Sequence, residues 1–365
     1  MRDVLYRSRW LIGGAALCAL VTLVLATMGG DEVSESHPLE LAPADARLVA
    51  RIDVAAVTGS HLWSALLEED DEGGVRRIER TCGYDPLAQV EQAVVFVFGE
   101  DDDPFEHLGF VATGEMARGR DNRERLVGCV RSVVSDQGGA IREVEIEGET
   151  AVASAHGGSH AAFLGSDGVV GGDREVVERT IRVTNGAAPS AHAQPQLAAL
   201  WERVSTGRDV VVVGRLPDRW LPALRRLAGD ESELLDSLAG VRAFGLGVTV
   251  RDGLSIGAAI ETASPDDAEG LERSLREQME RELSDPMARF SVIGSALRRV
   301  RMEAQGDDLV VSLSLSDDQI DEVLGLWREL QRREAEEPDP DPDPDPDPDP
   351  DPDPDPDPDP DPAPD

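Results

Sequence analysis

Two stretches decide the architecture: Arg47–Leu67, RLVARIDVAAVTGSHLWSALL, and Arg208–Leu227, RDVVVVGRLPDRWLPALRRL. Each reads as a β-branched strand followed by a short helix with a tryptophan in it, Leu62–Leu66 in the first and Trp220–Leu224 in the second. Working outward, Glu91–Val134 finds its counterpart in Val241–Leu283, so one α+β unit is present twice. Strand pairs Ala93–Gly99 with His107–Thr113, and Val241–Val250 with Leu254–Thr262, each lead into a helix, Asp121–Ser135 and Asp266–Ser284, the latter with Ser264 as cap.

Two further strands and a closing helix complete each copy. The first copy uses Ile141–Ala155, the hairpin Ser159–Gly171 and the helix Asp173–Val183; the second uses Leu297–Ala304, Asp308–Ser314 and Asp317–Arg333. Ser316 and Gln319 form a capping box for that last helix, whose stripe is Ile320, Val323, Leu324, Trp327 and Leu330. The order β-α-β-β-α-β-β-α lacks strict βαβα alternation, which predicts an α+β fold with mostly antiparallel sheets and helices on one face. Gly186–Pro195 is the linker-like joint, dividing repeat 1 (46–190) from repeat 2 (191–336). Two such units could share one sheet or sit side by side.

The flanks point to a location. Trp10–Met28 carries no charge, and at about 1.5 Å per residue it nearly spans a ~30 Å hydrocarbon layer. Arg2, Arg7 and Arg9 precede it; Asp31, Glu32, Glu35 and Glu40 follow it. That asymmetry puts residues 1–29 down as a basic cytoplasmic start and a transmembrane signal-anchor, 30–45 as a linker, and the body on the extracytoplasmic, periplasmic side of the cell membrane. A cleaved signal peptide is the alternative, with Val24-Leu25-Ala26 as its site. From Pro338 the chain is an Asp-Pro repeat broken only by Ala363. Proline at every second position removes donors and fixes φ, so 337–365 is expected as a disordered, extended acidic tail with at most weak contact to divalent cations.

Composition excludes several chemistries. The chain of 365 residues has a formal net charge of −38, which disfavours nucleic acid as a partner. Every basic residue other than histidine is arginine, so a P-loop lysine, a pyridoxal Schiff base and a Ser-x-x-Lys pair are absent. Export makes Cys82 and Cys129 a candidate disulfide, with two separate buried thiols as the alternative.

The remaining polar clusters do not assemble a site. His156 and His160 are separated by Gly157-Gly158 in a hairpin turn, where a spacing of four no longer places two ligands together. The same glycines lie between strands, not at the strand–helix turn of a nucleophile elbow. Glu100-Asp101-Asp102-Asp103 lacks the alternation and central glycine of a calcium loop. No catalytic, cofactor or metal residues are assigned, and no cofactor is implied.

Thr81-Cys82-Gly83-Tyr84-Asp85-Pro86-Leu87, together with the lead-in Pro43-Ala44-Asp45 to the first strand, resembles uncharacterised exported bacterial proteins with a duplicated α+β body. The resemblance implies export and the repeat, and brings no catalytic residues. The expectation is a membrane-anchored extracytoplasmic protein, not an enzyme, with a binding or structural role toward an envelope protein or lipid. A carrier or sensor of an apolar ligand and a hydrolase with carboxylates hidden among the 73 acidic residues are the alternatives.

Overall fold

The opening strands of the two copies, β1 (Leu48–Asp53) and β8 (Val210–Arg215), pair with each other antiparallel, Leu48 opposite Gly214 and Ile52 opposite Val210. Both halves of the chain, read as copies, therefore contribute to one sheet in which β8 and β1 are neighbours. In this computed structural model, the structure describes residues 36–67, 74–98, 107–155, 158–216, 240–284 and 292–336. Trp10–Met28, Glu100–Asp103, His156, Gly157, the Trp220–Leu224 helix and the Asp-Pro tail lie outside the described residues.

Twelve described strands follow the order β11-β12-β10-β9-β8-β1-β2-β3-β7-β6-β5-β4. Moving out from the seam in copy one come β2 (Gln92–Phe98), β3 (His107–Thr113), β7 (Gly168–Gly172), β6 (His160–Leu164), β5 (Glu149–Ser154) and β4 (Ile141–Ile146). In copy two come β9 (Val241–Thr249), β10 (Leu254–Thr262), β12 (Asp308–Leu315) and β11 (Arg301–Gln305). All these pairs are antiparallel.

Copy one is longer than the repeat read from sequence. Ile141–Ala155 is not one strand but the hairpin β4–β5, closed at Glu147-Gly148 with φ of 50° and 82°. Two successive positive φ values make the tight turn that suits a right-twisted hairpin, usually signalled by Asn-Gly or Asp-Gly. Glutamate in the first position hid it. In copy two, Leu297 ends a helix, and the strand begins only at Arg301.

The helices are α1 (Val54–Thr58), α2 (His61–Leu67), α3 (Gly74–Cys82), α4 (Gly119–Asp136), α5 (Arg174–Thr184), α6 (Pro195–Val204), α7 (Pro265–Ser284), α8 (Val292–Leu297) and α9 (Asp317–Glu336). Asp53 caps α1 and Asp173 caps α5, their carboxylates accepting the Ala56 and Val176 N–H groups at 2.9 Å each. Ser264 caps α7 through the Asp267 N–H at 3.3 Å. At α9 the Ser316 N–H donates to Gln319 Oε1 at 3.0 Å, one half of the expected box, and Ile320 is buried. The side chains of Trp327 and Leu330 lie outside the described residues. The described residues up to Val323 belong to one compact unit; of the second, from Leu324, the continuation of α9 is described.

Part of the expected linker Gly186–Pro195 leads directly into a helix that sequence reading missed. Pro195 occupies the first position of α6, where a missing N–H costs nothing, and Leu197, Leu200, Trp201 and Val204 are buried beneath it.

Helices cover both faces, a correction to the one-sided packing expected. On one face, α5, α6 and the strap Leu39–Ala46 close over Val49, Phe96, Val111, Val211 and Val213. On the other, α4 covers Phe110, Ala112, Phe163 and Val169, and α7 covers Val241, Met302 and Leu309. The reason lies in β2, whose run AVVFVF does not alternate with polar residues. Strands apolar on both sides must be buried on both sides.

Two glycines set the helix heights. A Cβ on Gly109 would lie 2.3 Å from Val176 Cγ1 of α5, and one on Gly247 would lie 2.4 Å from the Val204 carbonyl oxygen at the end of α6. Glycine within a strand here marks close approach of another element.

Candidate functional site

At the seam the two sheet faces differ. On the face under α5 and α6, Val49, Val211, Val213 and Ala243 are wholly inaccessible to solvent. On the opposite face the register aligns Ile52–Val210–Val248 and Ala50–Val212–Leu246 in adjacent rows, with Leu48–Gly214–Phe244 beside them. Of these, Ile52, Val210, Val248, Val212, Leu246, Leu48 and Phe244 are only half-buried. α4 ends its coverage near Ala93, Val95 and Ile52, while α7 begins at Val241 and Ile260. Among the described residues, these half-buried aliphatic side chains of β1, β8 and β9 form an apolar trough between the clusters under α4 and α7. Phe244 lies over Gly214, where an added Cβ would meet its ring at 2.8 Å. Apolar surface collected in one place, not scattered singly, is the mark of a contact or ligand site.

An arginine held between two carboxylates closes one end of the seam. There Arg251 Nε donates to Asp209 Oδ1 at 2.8 Å and its Nη2 to Asp53 Oδ2 at 3.2 Å. Asp209 is 1% exposed, and its other oxygen accepts the Val250 N–H at 2.9 Å. These are two nearby carboxylates, but an arginine sits between them and both are spent on backbone caps. At the other end the Arg215 N–H donates to the Arg47 carbonyl at 2.7 Å. Burial, and then the neighbouring Arg47 charge, lower the Arg215 pKa, with Asp45 opposing.

Beside that end a cleft of about 300 Å³ is lined by Pro43, Ala44, Asp45, Arg179, Arg182, Val183, Ala188 and Pro189. Arg179 pairs with Asp45 and Glu175 and stacks over Phe98. That leaves the exposed Arg182 at the C-terminal turn of α5, where a cation already complements the helix dipole.

Cys82 at the end of α3 and Cys129 in the middle of α4 are joined as a disulfide, their Cα atoms 4.6 Å apart. The Thr81–Leu87 element folds around it. Gly83 takes φ 72°, and Asp85 Oδ1 accepts the Leu87 N–H at 2.8 Å. The Arg125 guanidinium lies 3.8 Å from the centre of the Tyr84 ring, and burial raises the Tyr84 pKa, partly offset by that arginine.

His160 Nδ1 stays with its own turn, 3.3 Å from the Gly158 carbonyl. Among the described residues no cluster of three or more His, Cys, Asp or Glu could hold a metal ion. Sequence reading missed one histidine pair, His37 and His192, whose rings meet edge-on at 4.7 Å beside Trp201. They are 155 positions apart by number, and the backbone bonds of the strap to Pro189 and Ala191 bring them together.

No protein family and no curated relative matches this chain. Among solved structures it is similar to TP0453, a Treponema envelope protein, in two crystal forms. Crystal form III aligns with a TM-score of 0.46 and 11% identity over 80% of this chain and 99% of that one. Crystal form I gives a TM-score of 0.43 and 10% identity over 80% and 98%. Likeness at this level carries no argument about what this chain does. Among the described residues no helix is long and apolar enough to cross a membrane.

Proposed function

We propose that this protein is an exported, membrane-tethered, non-enzymatic binding protein of the cell envelope that receives an apolar, lipid-like group in the seam trough. One observation carries the reading: half-buried aliphatic side chains of β1, β8 and β9 are gathered between α4 and α7, on strands whose other face is sealed. Export is supported by the charge asymmetry around Trp10–Met28 and by the disulfide, since such bonds persist in oxidising compartments. An anchored body is held beside lipid, which favours that occupant over a dilute soluble one.

Native mass spectrometry of the full chain extracted from membranes tests the proposal. The expected result is a copurifying lipid that is lost in Leu246→Glu, a substitution placing a carboxylate in the middle of the trough. Repeated preparations free of lipid, or equal lipid in the variant, would reject it.

A further inference from the structure

The strap that leads into β1 is fastened at its start by paired histidines. His37 caps the short turn Pro38–Glu40, its Nδ1 accepting the Leu39 N–H at 3.2 Å, while the His37 N–H donates to Glu40 Oε2 at 3.1 Å. The His37 ring stands edge-on against His192 at 4.7 Å and against Trp201 of α6 at 5.4 Å. Beyond this point Leu39, Leu41 and Ala42 pass into the core, Ala44 N–H donates to Pro189 O at 3.1 Å, and Ala191 N–H to Ala42 O at 2.9 Å.

We infer that this contact is an acid-sensitive latch on the strap, opened by protonation of His37. A cap that accepts through Nδ1 requires the neutral ring, because both nitrogens of an imidazolium are donors. Protonation of His37 therefore removes the acceptor from the Leu39 N–H.

The charged groups facing His37 are His192 from the turn Ala191–Ala193, Glu40 from the strap itself and Glu202 from α6. Burial, and then His192, hold the His37 pKa below the ordinary imidazole value; Glu40 and Glu202 oppose without reversing this. A base with a depressed folded-state pKa contributes its full stability above its unfolded value, near 6.5. That stability is lost as pH falls through the folded value. The leucines beyond the latch still hold the strap, so acid raises the open fraction without emptying the closed state.

Hydrogen exchange on the full chain reads this directly, with rates corrected for their intrinsic pH dependence. Between about pH 7.5 and about pH 5, where imidazoles titrate, protection of the Leu39, Leu41, Ala44 and Ala46 amides should fall several-fold while strands β1 and β8 keep theirs. In His37→Asn, which keeps a cap acceptor but cannot take a proton, protection should stay level across the same window. His192→Gln should show a smaller loss than the wild type. Unchanged protection of the wild-type strap at the acid end, or an equal loss in His37→Asn, would overturn the latch.

Discussion

Asp53 and Asp209 stand opposite each other at one end of the repeat seam, the Asp53 N–H donating to the Asp209 carbonyl at 2.7 Å, and Arg251 bridges their carboxylates from the β9–β10 turn. The two copies are thus stitched by hydrogen bonding along β1 and β8 and closed by a charge that belongs to a third strand pair.

Replacing Asp209 by alanine should destabilise the body by about 2–3 kcal/mol, because the buried Val250 N–H loses its acceptor. Arg251→Met should cost less, about 1 kcal/mol, since that side chain is 61% exposed. Urea unfolding of both variants measures the order; an Arg251 effect exceeding that of Asp209 would contradict the capping role.

Gly109→Val should be far more damaging than a surface change, on the order of 3 kcal/mol, since its first added atom already lies 2.3 Å from Val176. The companion Val176→Ala change should recover part of the loss in the double mutant. Simple additivity of the two in thermal unfolding would mean that the helix and strand do not meet there.

Reducing Cys82–Cys129, separated by 47 positions, should remove about 3–4 kcal/mol by chain entropy. The loss should centre on α3, whose contacts with α4 run through Ile78, Val133 and Tyr84. Alkylation without reductant should leave both cysteines unmodified, and labelling of both in the native protein would end this expectation.

Leu246→Glu should abolish lipid retention while lowering stability by no more than about 1–2 kcal/mol, because the half-buried site can hydrate the new carboxylate. Val213→Glu, on the sealed face one strand away, should instead unfold the protein. Equal folding defects in the two would erase the distinction between the faces.

Most elements were legible because their signals are local. The β-branched runs of β1, β2 and β8, the Ser264 cap, and the apolar stripe of α4 each lie within one window of chain. Those misread had a local signal that pointed elsewhere: Glu147-Gly148 concealed a hairpin turn, and the Ala-Pro-Gly composition before Pro195 concealed the start of α6. The two-sided covering was present in the unbroken apolar run of β2, but a parallel-sheet signature was not expected in an antiparallel fold.

The mixed α+β class, the apolar N-terminal stretch, the acidic repeat tail and the absence of lysine chemistry are properties of the chain itself. The sharing of one sheet by the copies was decided by tertiary structure, because an unpaired β1 edge and an unpaired β8 edge satisfy each other's backbone groups at no cost in burial. The same pairing left one seam face sealed and, among the described residues, the other half-covered. Contacts between residues so far apart depend on register across the seam, and no local pattern of side chains encodes that register.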